Sequence, residues 1–433
     1  MIPAHSCPET PLPDTLHDKL LAASDRCVLC GQCLPHCPSY RLWHNEADSP
    51  RGRISLLQAL ARGQLDADEG MQQHIGRCLG CRACERMCPS LVEYGQILDQ
   101  GRALLHPAQP SALHTLLNAV TTPKTLRRKA RLLRVYQRSG LQSLVRGSGL
   151  LKLLGLAEQE ASLPRLPDTV ALQAYYPAVG ATQGEVALFL GCIGSLLDAK
   201  VHQAAITVLT RIGYAVQIPS KQTCCGALHQ HNGELAQAEA LARENLTAFE
   251  GVTAIIGAAT GCVAQLFEYE SLHGQALPAP VYELSDFIAT HWPEGLALRP
   301  LPLRASYHLP CSQRNVLRQT DSTARLLAPI PELQLQPLPG NDSCCGAAGS
   351  FLLTQPEAAA ELRQPKLAAI AAAKPDVVLS SNTSCAMHLR QGLGQQGVTI
   401  PVRHPIELLA DVLLTTTSFD RAHKGHVGHT GNG

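Results

Sequence analysis

Three patterns predict a multidomain chain of mixed α+β and α/β class. The first is a Cys-x2-Cys-x2-Cys-x3-Cys-Pro run that occurs twice, as Cys27, Cys30, Cys33, Cys37 and Pro38, and as Cys78, Cys81, Cys84, Cys88 and Pro89. The second is a duplication from residue 184 onward, in which Cys192, Cys224, Cys225 and Cys262 recur as Cys311, Cys344, Cys345 and Cys385. The third is the alternation of short apolar runs with Ala/Leu-rich helical stretches in each copy, which marks βα units around a mainly parallel sheet. The expected organisation is a helical two-cluster ferredoxin-type domain over residues 20–100 and a basic helical linker over 101–183. Two duplicated α/β Cys-Cys-Gly domains follow over 184–296 and 303–413, then a disordered tail over 414–433.

The N-terminal domain is argued from ligand spacing. Two-residue gaps wrap the backbone tightly enough for three thiolates to reach three irons of one cube, while the fourth Cys is carried away by its proline. In two-cluster ferredoxins that fourth thiolate completes the other cluster. Cys27, Cys30, Cys33 and Cys88 are therefore assigned to one [4Fe–4S] cluster, and Cys78, Cys81, Cys84 and Cys37 to its partner. Zinc knuckles would use two Cys-x2-Cys pairs apiece or include His, and neither run does. Between the runs, Ile54, Leu57 and Ala61 recur at helical spacing after Pro50, with Leu56 and Leu60 beside them. This favours a helical domain over a small β-rich one.

Bulk composition narrows the function. The formal net charge of +1 gives no reason to expect a nucleic-acid partner. Seventeen cysteines with neither a secretory signal nor a membrane-length apolar run point to a reducing, cytoplasmic setting in which thiolates hold metal. Charge is unevenly spread, however. Lys124, Arg127, Arg128, Lys129, Arg131, Arg134, Arg138 and Arg146 follow one another with no acid between them. Leu126, Ala130 and Leu133 space as one helical face among them. Such a helix can dock on an acidic partner or lie peripherally on the inner face of the cell membrane, or pack as a solvated linker on its own domain.

A period of about 120 residues means duplicated domains rather than a solenoid. The strand candidates are Val186–Leu190, Ala254–Gly257 and Pro280–Leu284 in the first copy, and Arg304–His308, Asp376–Leu379 and Pro401–Pro405 in the second. The cysteines fall just after these strands, where open α/β sheets gather ligands. Gly226 and Gly346 are expected to let the backbone crowd a metal closely. Free cysteines are often inert core residues, but recurrence of a whole four-Cys set argues for ligands. An additional iron–sulfur cluster and zinc both remain open for these sites. The tail carries His423, His426 and His429 and reads as disordered, and Cys7 stands outside every pattern.

With these motifs in place the chain resembles the iron–sulfur subunits of glycolate oxidase (glycolate dehydrogenase) over about residues 20–412. The segments that carry the resemblance are Cys27-Val-Leu-Cys-Gly-Gln-Cys33, Ser49-Pro-Arg-Gly-Arg-Ile54, Cys78-Leu-Gly-Cys-Arg-Ala-Cys84, Cys345-Gly-Ala-Ala-Gly349 and Cys385-Ala-Met-His388. Related subunits occur in anaerobic glycerol-3-phosphate dehydrogenase, D-lactate dehydrogenases and heterodisulfide reductase. The resemblance implies an electron-carrying subunit whose FAD-linked oxidase partners oxidise glycolate, and D-lactate as well, with electrons delivered to a quinone or another acceptor. The alternatives are a glycerol-3-phosphate or D-lactate dehydrogenase subunit, or a catalytic heterodisulfide-reductase-like chain. The last type ends each Cys-Cys-Gly domain in Cys-x2-Cys. Here Gln265 and His388 stand at that final position, so the first repeat lacks a ligand and His388 is a candidate replacement in the second. Arg51 and Arg53 are expected beside the first cluster, where they would offset its negative charge. No catalytic residue is assigned. Gly392-Leu-Gly-Gln-Gln-Gly397 precedes a strand-like stretch instead of following one, so it fails as a dinucleotide site.

Overall fold

Each of the four main N-terminal helices begins or crosses where the local sequence requires it. Ser49 caps Pro50–Ala61 by accepting from the Gly52 N–H at 2.9 Å, with Pro50 in the first turn, and Asp68 caps Glu69–Gly76 through the Met71 N–H. These helices and Leu16–Ser24 and Tyr94–Leu104 bury Leu20, Ile54, Leu57, Met71, Ile75, Ile97 and Leu98 in one core. Gly101 lets the last helix approach Leu57, since a Cβ there would come within 2.5 Å of that side chain. No strand occurs among residues 15–106, so this domain is helical as expected. The computed structural model describes residues 15–106, 112–149, 151, 160, 166–168 and 170–414. Cys7 and the tail histidines lie outside them.

The C-terminal part holds two sheets. Strands β1 (Tyr175–Tyr176), β2 (Gly184–Phe189), β3 (Tyr214–Gln217), β4 (Ile255–Gly257) and β5 (Val281–Glu283) form the first, ordered β1-β3-β2-β4-β5. Strands β6 (Arg304–His308), β7 (Gln334–Pro337), β8 (Val377–Ser380) and β9 (Val402–Arg403) form the second, ordered β7-β6-β8-β9. Apart from antiparallel β1, every pairing is parallel, with Ala187 opposite Ile255 in one copy and Ala305 opposite Val377 in the other. The duplication is therefore topological as well as sequential.

The repeats share a core. Val186, Leu188, Val208 and Leu209 of the first pack in the same cluster as Val377, Leu379, Ile406 and Leu409 of the second. Helix Ala199–Arg211 packs on Pro405–Val412, and Leu284–Thr290 packs on Ser322–Leu327, so corresponding helices exchange partners. Each fully buried Leu, Ile or Val contributes about 1.5–3 kcal/mol, and much of that contribution spans the two repeats.

Helices Ala112–Thr121, Pro123–Arg138 and Leu141–Gly147 follow the ferredoxin-type domain. Leu126 and Ala130 are buried and Leu133 is half-buried, which matches the expected apolar stripe. Arg138 pairs with Asp168 at 2.5 Å and Arg146 with Glu160 at 2.7 Å. Arg127, Arg128, Lys129 and Arg131 stand exposed beside Leu132 and Val135, which are 64% and 60% exposed.

Candidate metal centres

All sixteen described cysteines are free thiols, and they gather into four groups. Cys27, Cys30 and Cys33 line one partly open cavity, and Cys88 from the other run lines it with them. Pro50, Arg51, Ile54, Val92 and Tyr94 complete its wall, and Cys84 reaches the same wall. The loop turns through left-handed residues, Leu29 at φ 55° and Gly31 at φ 83°. Arg51 clamps it by donating to Leu29 O at 3.0 Å while its Nε donates to Glu46 at 2.7 Å. Burial pushes the Cys33 thiol up to about 11. A thiolate at this position therefore needs a cation to hold it.

The second group is Cys37, Cys78, Cys81 and Cys84. Cys37 is buried, 3.2 Å from Ser39 Oγ, and Cys78 accepts from the Gly80 N–H at 3.5 Å and from Tyr94 Oη at 3.6 Å. Burial raises Cys81 and Cys84 well above the ordinary thiol range, and Cys37 is among the charges that each of them feels. Arg53 has no exposed surface. It donates to Ser39 Oγ at 2.9 Å, to His74 O at 2.7 Å and to Asp48 at 3.3 Å. Burial opposes its charge, but Cys78, Tyr94, Cys37 and Asp48 outweigh that and hold the guanidinium protonated. The two arginines of Pro-Arg-Gly-Arg were both expected at the first cluster. Being two residues apart on a helix they face different ways, Arg51 toward the first group and Arg53 toward the second.

In the first repeat Cys192 follows β2, Cys224 and Cys225 follow β3, and Cys262 lies in the first turn of helix Thr260–Phe267. In the second, Cys311 follows β6, Cys344 and Cys345 follow β7, and Cys385 lies in the first turn of Thr383–Gln395. Both sets lie at carboxyl strand ends, where the strand order reverses. Cys192 and Cys224 are 3.3 Å apart, and Cys311 and Cys344 are 4.0 Å apart. Neighbouring thiols push Cys225 and Cys344 below the ordinary thiol range, the first through Cys224 and Cys262 and the second through Cys311 and Cys345. Four thiols that share protons in this way are a donor set for a metal, whose binding displaces those protons. The need for glycine differs from the expected one. Gly346 has φ 88° and a Cβ there would lie 2.6 Å from Ala359 O, so the crowding comes from the helix behind the loop rather than from a metal.

The repeats differ in what surrounds their thiols. Gln265 is 2% exposed, and neither of its amide atoms has a hydrogen-bond partner. His388 is buried, with Nε2 3.0 Å from Ala359 O and Nδ1 3.3 Å from Arg363 Nη1. Helix Pro356–Ala373 thus engages both of its nitrogens. The histidine whose ring nitrogen shares a 4.8 Å neighbourhood with the sulfurs of Cys345 and Cys385 is His308. Sequence reasoning passed over His308; the available signal was a His ending a strand three residues before Cys311. Burial pushes it down to about 3, so it is neutral. Arg53, Arg363 and Lys366 are the buried Arg and Lys side chains among the described residues. Cys345 opposes the lowering that burial imposes on Arg363, and Cys345 with Cys344 opposes it on Lys366.

Contacts link the groups in series. Asn315 donates to Cys81 O at 2.7 Å, and Leu79, Cys81, Cys311, Cys344 and Phe351 share one apolar cluster. The second ferredoxin-type group therefore abuts the second repeat. Asn382 joins the repeats, donating to Cys385 Sγ at 3.3 Å and accepting from the Gly261 N–H at 3.2 Å, one residue from Cys262.

Comparison with known proteins finds the same kinds of domain in the same order along the chain. A 4Fe-4S dicluster domain matches residues 23–92, and a cysteine-rich domain matches 186–267 and again 305–390. Residues 109–163 match the linker region of the glycolate oxidase iron-sulfur subunit. The "Probable glycolate oxidase iron-sulfur subunit" of Bacillus subtilis (strain 168) is 34% identical over 414 residues, covering 90% of this chain and 93% of that protein. The "Glycolate oxidase iron-sulfur subunit" of Escherichia coli (strain K12) is 31% identical, covering 92% and 95%. "Lactate utilization protein A" of Geobacillus thermodenitrificans (strain NG80-2) is 28% identical over 234 residues, 52% of this chain and 98% of that protein.

Proposed function

Because the chain belongs to the family of glycolate oxidase iron–sulfur subunits, we propose that it is the electron-transfer subunit of a flavin-dependent 2-hydroxy-acid dehydrogenase. Cys27, Cys30, Cys33 and Cys88 hold one [4Fe–4S] cluster, and Cys37, Cys78, Cys81 and Cys84 hold the other. Cys311, Cys344, Cys345 and Cys385 hold a further iron–sulfur centre. The observation that carries this reading is that Cys88, from the second run, lines the same cavity as Cys27, Cys30 and Cys33. Buried Arg363 and Lys366 add to it, since buried cations with no carboxylate paired to them are costly and both lie beside thiols that would be anionic when loaded. When bound, such clusters take up and release single electrons. The chain's own residues fix the thiols, supply the countercharges and keep water from the buried groups.

The partners are FAD-linked oxidase subunits of the same complex, which oxidise glycolate and D-lactate, and the acceptor is a quinone or another carrier. The partial match to a lactate utilization protein supports lactate as a second substrate. No described helix is long and apolar enough to cross a membrane. The exposed basic face of Pro123–Arg138 is the proposed contact with a membrane surface or the flavoprotein.

The test is reduction of the anaerobically purified chain by the FAD-linked oxidase subunits proposed as its partners. Bleaching on addition of glycolate, dependent on the flavoprotein, supports the proposal. No bleaching with glycolate or D-lactate, in material that dithionite does reduce, removes it.

A further inference from the structure

We infer that His308 supplies a nitrogen ligand to the iron–sulfur centre of the second Cys-Cys-Gly repeat. The inference rests on the proposal above that this repeat holds such a centre.

The argument begins with a difference between the repeats at matched positions. His308 ends β6 and pairs in parallel register with Ser380 on β8. The corresponding pair in the first repeat is Phe189 on β2 with Gly257 on β4. His308 precedes Cys311, and Phe189 precedes Cys192, by the same three residues. One repeat thus carries a donor and a hydroxyl partner where the other carries a phenyl ring and a glycine. Both substitutions fall at the switch point between adjacent strands, beside the thiols.

Geometry supplies the second step. His308 is 2% exposed, and a ring nitrogen lies with the sulfurs of Cys345 and Cys385 inside one 4.8 Å neighbourhood. Its Nδ1 is 3.2 Å from Ser380 Oγ. A metal-bound imidazole commonly gives its other ring nitrogen to such a partner, which fixes the ring and the tautomer. Ser380 is therefore a positioning residue that leaves Nε2 as the ligating atom. His388, by contrast, has both nitrogens engaged by helix Pro356–Ala373.

The consequence is functional. A neutral imidazole, added to four thiolates where the Cys-x2-Cys type has a fifth, makes the centre less negative than in that type, and histidine ligation raises iron–sulfur potentials. The second repeat, which also abuts the ferredoxin-type group through Cys81, becomes the high-potential station of the chain.

The test is pulsed EPR on the full chain, purified anaerobically and reduced with dithionite, with and without ¹⁵N-histidine. A nitrogen coupling that changes isotope on labelling, is lost in His308→Phe and persists in His388→Gln is the expected result. His308→Phe should also lower the potential of that centre, and pairing it with Ser380→Gly recreates the first repeat's packing. If the unsubstituted protein shows no histidine nitrogen coupling, or if the coupling survives His308→Phe, the inference is overturned while the centre stands. If Cys344→Ser with Cys345→Ser leaves the iron content unchanged, the centre and the inference both fall.

Discussion

Each of the three guanidinium nitrogens of Arg53 donates one hydrogen bond, and Asp48, its carboxylate partner, also meets His74 at 3.1 Å and Arg77 at 3.3 Å. Three basic groups on one carboxylate leave a net positive field beside Cys37 and Cys78. Removing the guanidinium takes away the fully buried partner of Asp48 and leaves it with His74 and Arg77, so the loss falls below the ~3–5 kcal/mol of a buried charge left unpaired. Arg53→Met should therefore lower the melting midpoint and make the potential of the second ferredoxin-type cluster more negative, as read by EPR redox titration. Arg51→Met, at a more exposed pair, should shift the first cluster with a smaller loss of stability. Glu283 gives the clearest pH dependence. It is fully buried at a helix N-cap, and burial pushes it from the ordinary 4.5 up to about 7. The native chain thus keeps a proton that the unfolded chain has lost. The stability this contributes is complete below about pH 4.5 and is lost as pH rises to about 7. Glu283→Gln should flatten the fall in melting midpoint between those limits; an unchanged slope would assign the dependence to other groups.

At the scale of elements, the Cys-x2-Cys runs and the strand-then-cysteine order were legible because each is a local pattern with one geometric solution. The helix after Pro50 was legible for the same reason, having both an apolar period and a Ser-Pro start. His308 was not, because a single histidine at a strand end has no periodicity and gains meaning only when Cys345 and Cys385 arrive from distant loops. His388 was favoured in its place because it matched a motif position, but Ala359 O and Arg363 engage it. Gly346→Ala tests the loop that carries the vicinal thiols. Its φ of 88° and the 2.6 Å approach of Ala359 O should make that substitution cost more than Gly226→Ala, whose nearest contact is 3.2 Å. Iron content and melting midpoint check the order. Replacing Arg127, Arg128, Lys129 and Arg131 with Gln should release the chain from anionic vesicles or from the flavoprotein without altering iron content. Unchanged binding to both would retire the basic face as a docking surface.

Across the whole molecule, four thiol groups lie in series from an exposed edge to the interface between the repeats. The sequence could order them within each domain but not between domains, because nothing local distinguishes which repeat meets Cys81. Asn315 and the apolar cluster around Phe351 decide that, and they join residues more than two hundred positions apart. The shared core makes the repeats depend on each other: each sheet offers the other part of its burial.

The most direct test of crossed ligation is EPR of the dithionite-reduced full chain carrying Cys30→Ser, Cys88→Ser, Cys37→Ser or Cys81→Ser. The account predicts that Cys30→Ser and Cys88→Ser alter one signal, while Cys37→Ser and Cys81→Ser alter the other. Signals that instead pair Cys30 with Cys37 and Cys81 with Cys88 would contradict it.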